Sequence, residues 1–269
     1  MTDPGAVTAF AGGTILLTRR AGVVEVQLNR PEKRNALTAA MISGLHEALA
    51  IVEAERPRVL VLRGGPGCFC AGADIAAYRT AALDATALAA FTAQSRELCR
   101  RLTTVDAIVV AVVDGIAMGG GFELVLAADL VVASETTRFG LPEVKLGLIP
   151  GWGGTQRLAH YVGPNRAKEA ILTGAAFGPE EAGGLVNRIV PSTEVESAAS
   201  ALIDTLVAQA PLALGAAKAS IATAYDPQRG ETTGARLETQ HLLALFASDD
   251  GREGVAAFVE KRTPIFTGR

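Results

Sequence analysis

The chain has 269 residues, 49% hydrophobic and 20% charged, with a formal charge of −3 and a pI of about 5.7. That balance provides for a large buried core and excludes a disordered chain. Its basic residues cluster no further than pairs such as Arg19-Arg20 and Lys261-Arg262, so the electrostatic footprint of a nucleic-acid binder is missing. Three cysteines (Cys68, Cys70, Cys99) make neither a disulfide framework nor a zinc motif. Three histidines (His46, His160, His241) stand singly, with no triad signature around them, and read as structural or surface residues.

Residues 1–13 carry no basic n-region and no long apolar run, and read as a loose tail rather than a signal peptide. "TILLTRR" and "VVEVQLNR" read as two strands of a hairpin turning at Ala21-Gly22. Met41, Leu45, Leu49 and Val52 repeat at helical spacing. "RVLVLRGG" is a short buried strand, and a loop, "PGCFCAGADIAAY", follows it. A helix is expected over "ALAAFTAQSRELCRRL", and a buried strand over "AIVVAVV", a run too short to span a bilayer. The triplet Gly119-Gly120-Gly121 then opens a helix, and "LVVAS" is again a strand. This alternation predicts an α/β fold of stacked ββα units. After Pro150 the pattern turns helical, with helices expected over "GPNRAKEAILTG", "GPEEAGGL", "TEVESAASALIDTLVAQA" and "PLALGAAKASIATAY", "VNRIV" as the one convincing strand, and a last helix on "EGVAAFVEKR". The expected organisation is a tail (1–13), a sheet-rich core with the active site (14–192) and a helical C-terminal region (193–269). The expected protein is soluble and cytoplasmic.

The glycine triplet fits neither common phosphate motif. A phosphate-binding loop needs Lys-Ser/Thr after its last glycine, whereas Phe122-Glu123 follows here, and G-x-G-x-x-G is not completed. Glycines at the start of a helix let a ligand oxygen approach amides that have no intrahelical partner, and such amides stabilise a developing oxyanion. Glu123, in apolar surroundings, has two readings. One is a proton carrier with a raised pKa; the other is a carboxylate that satisfies backbone amides at the helix start. Glu143 follows Pro142 in a loop rich in glycine and proline, where function is commoner than packing. Asp114 and Asp129 flank apolar strands and suit turn or cap roles. Two carboxylates are what water addition to a conjugated carbonyl requires: one for the water, one for the α-carbon proton. The loop around Gly72 reads either as a second source of amide donors or as a plain turn.

These stretches together resemble the crotonase, or enoyl-CoA hydratase/isomerase, superfamily. The resemblance rests on "NRPEKRNAL" (29–37), "FCAGADI" (69–75), "VDGIAMGGGFELVLAADLVVAS" (113–134), "FGLPEVKLGLIPGWGGTQRL" (139–158) and "GREGVAAFVEKR" (251–262). It implies a spiral of ββα units and a helical C-terminal region that builds trimers, often paired into hexamers. It implies an acyl-CoA substrate, with coenzyme A as part of that substrate and no metal or other cofactor. An oxyanion hole would form from the amides of Ala73 and Gly120. Glu143 would deliver the α-proton, and Glu123 would hold and activate the water. Substrate and CoA contacts would fall on Lys33, Arg34, Ala36, Ala71, Asp74, Ile75, Trp152, Phe258 and Lys261, the last two reaching a neighbouring subunit's nucleotide. For the charged positions among these, a solvated surface role is the competing reading. Trp152 departs from the small residue many hydratases carry there, and reads as reshaping the acyl pocket or as core packing. Possession of both acids favours hydration of trans-2-enoyl-CoA, with fatty-acid β-oxidation the default setting. A 3,2-enoyl-CoA isomerase or a specialised dehydratase is the nearest alternative; a non-catalytic acyl-CoA binder would have no use for two acids.

Overall fold

The computed structural model describes residues 6–76, 85–224 and 230–269. Residues 1–5 of the tail, the end of the loop expected through Tyr78, and Tyr225 at the end of one expected helix lie outside the described residues. Among those described, ten strands form two sheets. The large sheet has the order β1 (Thr8–Phe10), β2 (Ile15–Arg20), β3 (Val23–Leu28), β4 (Val59–Arg63), β6 (Ile108–Val113), β8 (Leu130–Ser134), β10 (Arg188–Val190). The small sheet orders β5 (Cys68–Cys70), β7 (Ile116–Met118) and β9 (Arg138–Gly140). β2 and β3 pair antiparallel as the expected hairpin, and from β3 to β10 the large sheet is parallel.

The expected spiral is visible in this order. β4, β6 and β8 are neighbours in the large sheet, and each is followed by one strand of the small sheet, β5, β7 and β9. Each such pair then leads toward a helix: α2 (Ala85–Thr104), α3 (Gly120–Val125) and α4 (Gly154–Thr173). The turn from one sheet to the other is tight. At Gly115, with φ +81°, an added Cβ would fall 1.9 Å from the Gly67 carbonyl oxygen. No other residue type fits both that backbone angle and that approach.

The apolar strands read without alternation because both faces of the sheet are covered. Leu60, Leu62, Val109, Ala111 and Val131 face a core shared with α1 (Ala39–Glu55) and α2. Val59, Val61, Ile108, Val110 and Val132 face a second core closed by Val195, Ala199 and Ile203 of α5 (Val195–Val207). α1 starts where Thr38 Oγ1 accepts from the Met41 amide at 3.2 Å. The loose-tail expectation for 1–13 is corrected within the described residues. Thr8–Phe10 pairs antiparallel with β2, and Phe10 packs against Gly44 of α1, which anchors it.

The C-terminal region contains α5, α6 (Pro211–Thr223), α7 (Gly230–Ala247) and α8 (Asp249–Glu260). Of these, α7 was not foreseen. α4 begins earlier than the expected helix and is broken at Gly163 (φ 78°). No single helix among the described residues is long and apolar enough to cross a membrane. A largely covered ion pair, its side chains 9% exposed at Lys218 and 23% at Asp129, joins α6 to the sheet. Lys218 Nζ lies 2.7 Å from Asp129 Oδ2 and donates to the carbonyls of Leu102 and Ala107 at 3.2 and 3.0 Å. Burial raises the Asp129 pKa and lowers that of Lys218, the pair's mutual attraction opposing both shifts. Removing one partner of a buried pair leaves the other uncompensated. Lys218→Met is therefore expected to cost about 3–5 kcal/mol in urea unfolding. A loss below about 1 kcal/mol would show that α6 does not depend on this anchor.

Candidate active site

The three strands of the small sheet run parallel, and each delivers one segment to the same place. β5 leads into Ala71–Asp74, β7 into Gly119–Glu123 and β9 into Leu141–Glu143. Sites in α/β sheets form at the carboxyl ends of strands because loops from adjacent strands converge there. Here the convergence brings Glu123 and Glu143 to one cavity of about 250 Å³.

The first segment is stitched down by its amides. Ala71 N–H donates to Arg34 O and Asp74 N–H to Leu37 O, both at 2.9 Å, while Leu37 N–H donates to Gly72 O at 2.8 Å. Gly72 N–H points to Cys70 Sγ at 3.4 Å. Ala73 N–H has no backbone acceptor among the described residues, and Ala73 borders the cavity. Gly72 (φ +101°) lets this segment lie directly on the next: a Cβ there would come within 2.9 Å of Met118 O and 3.5 Å of Gly120 N. Gly120 is the first residue of α3, so its N–H has no intrahelical acceptor. The Ala73 and Gly120 amides thus belong to two loops packed backbone on backbone.

Glu123 is 1% exposed. Its Oε1 accepts from the amides of Trp152 and Gly154, both at 2.7 Å. Burial raises its pKa, and these amides together with Arg157 pull the other way. The amide-satisfying reading is thus realised across the Trp152 turn rather than within α3. Glu123 also borders the cavity. Glu143 starts a single 3-10 turn (Glu143–Leu146) after β9. Burial, with a further push from the Glu123 charge, raises its pKa to about 7. Its Oε2 is buried without a hydrogen-bond partner among the described residues. A carboxyl group with one buried, unpartnered oxygen and a pKa raised toward neutrality is equipped to exchange a proton with a ligand.

Trp152 borders the cavity and is only 4% exposed, so it is at once part of the cavity wall and part of the packed interior. Its ring stands edge-on to Phe91, centroids 5.8 Å apart. Arg157 Nη1 donates to its carbonyl at 2.8 Å. Of the other expected contacts, Ala71 and Ile75 also border the cavity. Lys33 and Arg34 form an exposed turn behind Ala71, joined to it through the Arg34 carbonyl. Asp74 is committed to Arg30, whose Nη1 lies 2.6 Å from its Oδ2 and also donates to Ala36 O. Phe258, 85% exposed, and Lys261 at the end of α8 are not part of the cavity wall in a single chain. Asp114 and Asp129 accept from the amides of Gly67 and Val109, 47 and 20 residues away, so they join neighbouring segments rather than closing the local turns or caps expected of them, and Asp129 also pairs with Lys218. The sequence reading missed Arg157 and Thr92 of α2, which carry no local signal. It also passed over Leu146, Leu148 and Ile149, exposed apolar residues at the cavity's edge, although an apolar cluster in a glycine-proline loop was a readable sign.

The enoyl-CoA hydratase/isomerase family model matches residues 18–269. An enoyl-CoA isomerase/hydratase of Mycosarcoma maydis is 36% identical over 260 residues, which cover 92% of this chain and 93% of that protein. The 2,3-dehydroadipyl-CoA hydratase of Escherichia coli is 36% identical over 258 residues, 95% of this chain and 99% of its own. The solved enoyl-CoA hydratase of Bacillus anthracis matches with a TM-score of 0.89 at 35% identity, covering 95% of this chain and 100% of that one. With the ββα spiral, the two acids and the paired loops in place, the chain belongs to the enoyl-CoA hydratase/isomerase family of the crotonase superfamily.

Proposed function

We propose that this protein is an enoyl-CoA hydratase, adding water across the double bond of trans-2-enoyl-CoA to give 3-hydroxyacyl-CoA. The observation that carries this reading is the pair of acids, Glu123 and Glu143, on one cavity beside the Ala73 and Gly120 amides. The thioester oxygen accepts from both amides, which hold the enolate charge as it forms. Glu123, fixed by the Trp152 turn, orients the water and takes its proton as oxygen bonds to the β-carbon. Glu143, protonated near neutral pH, gives its proton to the α-carbon as the enolate collapses. Proton exchange between the acids and solvent restores the starting state. The two acids and two amides handle every proton and charge, so the reading calls for no metal or redox cofactor. Lys33 and Arg34, exposed beside Ala71, suit the phosphates of coenzyme A.

Isomerisation is the second reading. A single mobile proton on Glu143 would serve it, and one relative is named isomerase/hydratase. The fixed Glu123, which a double-bond shift does not need, favours hydration. The same reading includes the trimer or hexamer. Leu242, Leu243 and Phe246 of α7 and Val255, Phe258 and Val259 of α8 are all more than half exposed, an apolar face suited to other copies of the chain. It also includes a cytoplasmic role in fatty-acid β-oxidation, with which three free cysteines are compatible. The test is the ultraviolet absorbance of crotonyl-CoA, whose conjugated thioester chromophore is lost on hydration. Loss of absorbance with stoichiometric formation of 3-hydroxybutyryl-CoA is expected. A positional isomer of the substrate with no gain of water would replace hydration by isomerisation.

A further inference from the structure

The cavity has an outer and an inner side. Leu146, Leu148 and Ile149 border it while remaining 44–72% exposed, so they stand at its mouth. Trp152 borders it while 96% of its surface is covered by protein, so it stands at the inner wall. The indole lies directly on Gly120. A Cβ added to that glycine would fall 2.2 Å from Cζ3, 2.4 Å from Cη2 and 2.7 Å from Cε3 of the ring. Behind the ring, Phe91 packs edge-on at 71°, which holds the indole in place. An acyl chain whose thioester oxygen is seated on the Gly120 amide therefore meets this wall within the first few carbons.

We propose that the Trp152 indole sets the length of acyl group this site accepts, making it selective for short, straight chains of butyryl size over dodecanoyl size. The proposal rests on the acyl-CoA reading of the cavity and narrows it. The wall is the side chain alone. The amide that Trp152 donates to Glu123 survives any replacement other than proline, so the ring can be removed without removing that hydrogen bond.

Saturated acyl-CoAs test this without depending on turnover, because they have no double bond to hydrate. Trp152 is the only tryptophan in the chain, so intrinsic fluorescence reports on this wall directly. Binding of CoA, butyryl-CoA and dodecanoyl-CoA would be measured by calorimetry for wild type, Trp152→Ala and Trp152→Leu, with wild-type indole fluorescence recorded in parallel. Thermal unfolding identifies a variant that has lost its fold; Trp152→Leu, which keeps more of the packing against Phe91, then supplies the comparison. Wild type is expected to favour butyryl-CoA over dodecanoyl-CoA, with a change in fluorescence on binding. The folded variant is expected to move that preference toward dodecanoyl-CoA by roughly tenfold or more, with affinity for CoA itself unchanged. Equal or tighter dodecanoyl-CoA binding by wild type, or an unchanged preference in the variant, overturns the proposal; the long chain then leaves past Leu146 and Ile149. If wild type binds butyryl-CoA but does not hydrate crotonyl-CoA, the hydratase reading fails while the wall stands.

Discussion

Glu143→Gln is expected to slow hydration of crotonyl-CoA by a factor on the order of 10²–10⁴, the usual contribution of one positioned general acid. Glutamine keeps the shape of the side chain and removes only the proton it can give. The pH profile should single out the same residue. In the proposed hydration Glu143 acts in its protonated form, so kcat/KM should fall as pH rises through about 7, while protonation of Glu123, whose pKa burial also raises, sets a separate fall on the acid side. In the reverse direction the carboxylate must accept a proton, and the dehydration rate should rise through the same pH. Stability follows the same titration. A carboxyl whose folded-state pKa is raised stabilises the fold below its unfolded value, and loses that contribution as pH rises through about 7. Glu143→Gln should therefore flatten both the rate profile and the stability profile in that interval. A variant with near-normal turnover and an unchanged rate inflection would remove Glu143 from the chemistry.

The Glu123 variants should separate catalysis from architecture. Glu123→Gln keeps an oxygen acceptor for the Trp152 and Gly154 amides, so the folded state should survive while turnover falls by about 10²-fold or more. Glu123→Ala removes the acceptor for both. Each buried amide left unpaired costs about 1–3 kcal/mol, so alanine should be destabilised by roughly 2–6 kcal/mol as well as inactive. Urea unfolding beside single-turnover rates would read both effects. Equal stability of the alanine and glutamine variants would mean that the turn at 151–154 is held by something other than this carboxylate.

How much of this was legible beforehand depends on length scale. Long elements spoke for themselves. The hairpin at Ala21-Gly22, the unbroken apolar runs of β4 and β6, and the helical spacing of Met41, Leu45, Leu49 and Val52 all appear where the pattern put them. Three-residue strands such as Cys68–Cys70 and Arg138–Gly140 are too short to show a period, so the small sheet was read as loops. Thr8–Phe10 was missed for the same reason, its existence depending on the edge that β2 offers. α4 was started too late because Gly153 and Gly154 look like turn residues, and they are also where Glu123 is caught.

The sequence by itself determined the residue types and their order: two acids twenty positions apart, a glycine triplet, a second glycine loop, and alternating strands and helices around them. Those are properties of local composition and spacing, which a chain carries before it folds. The tertiary structure decided what each group faces. Parallel pairing of β5, β7 and β9 gathers the segments that follow them, so distance along the chain becomes contact. It sets Glu143 Oε2 in a desolvated, unpartnered position and closes Glu123 under two amides from a turn some thirty residues away. It also lays the Trp152 ring on Gly120 and commits Asp74 to Arg30 rather than to the cavity. A pKa and a pocket wall depend on neighbours brought in from elsewhere in the chain, and only folding supplies them.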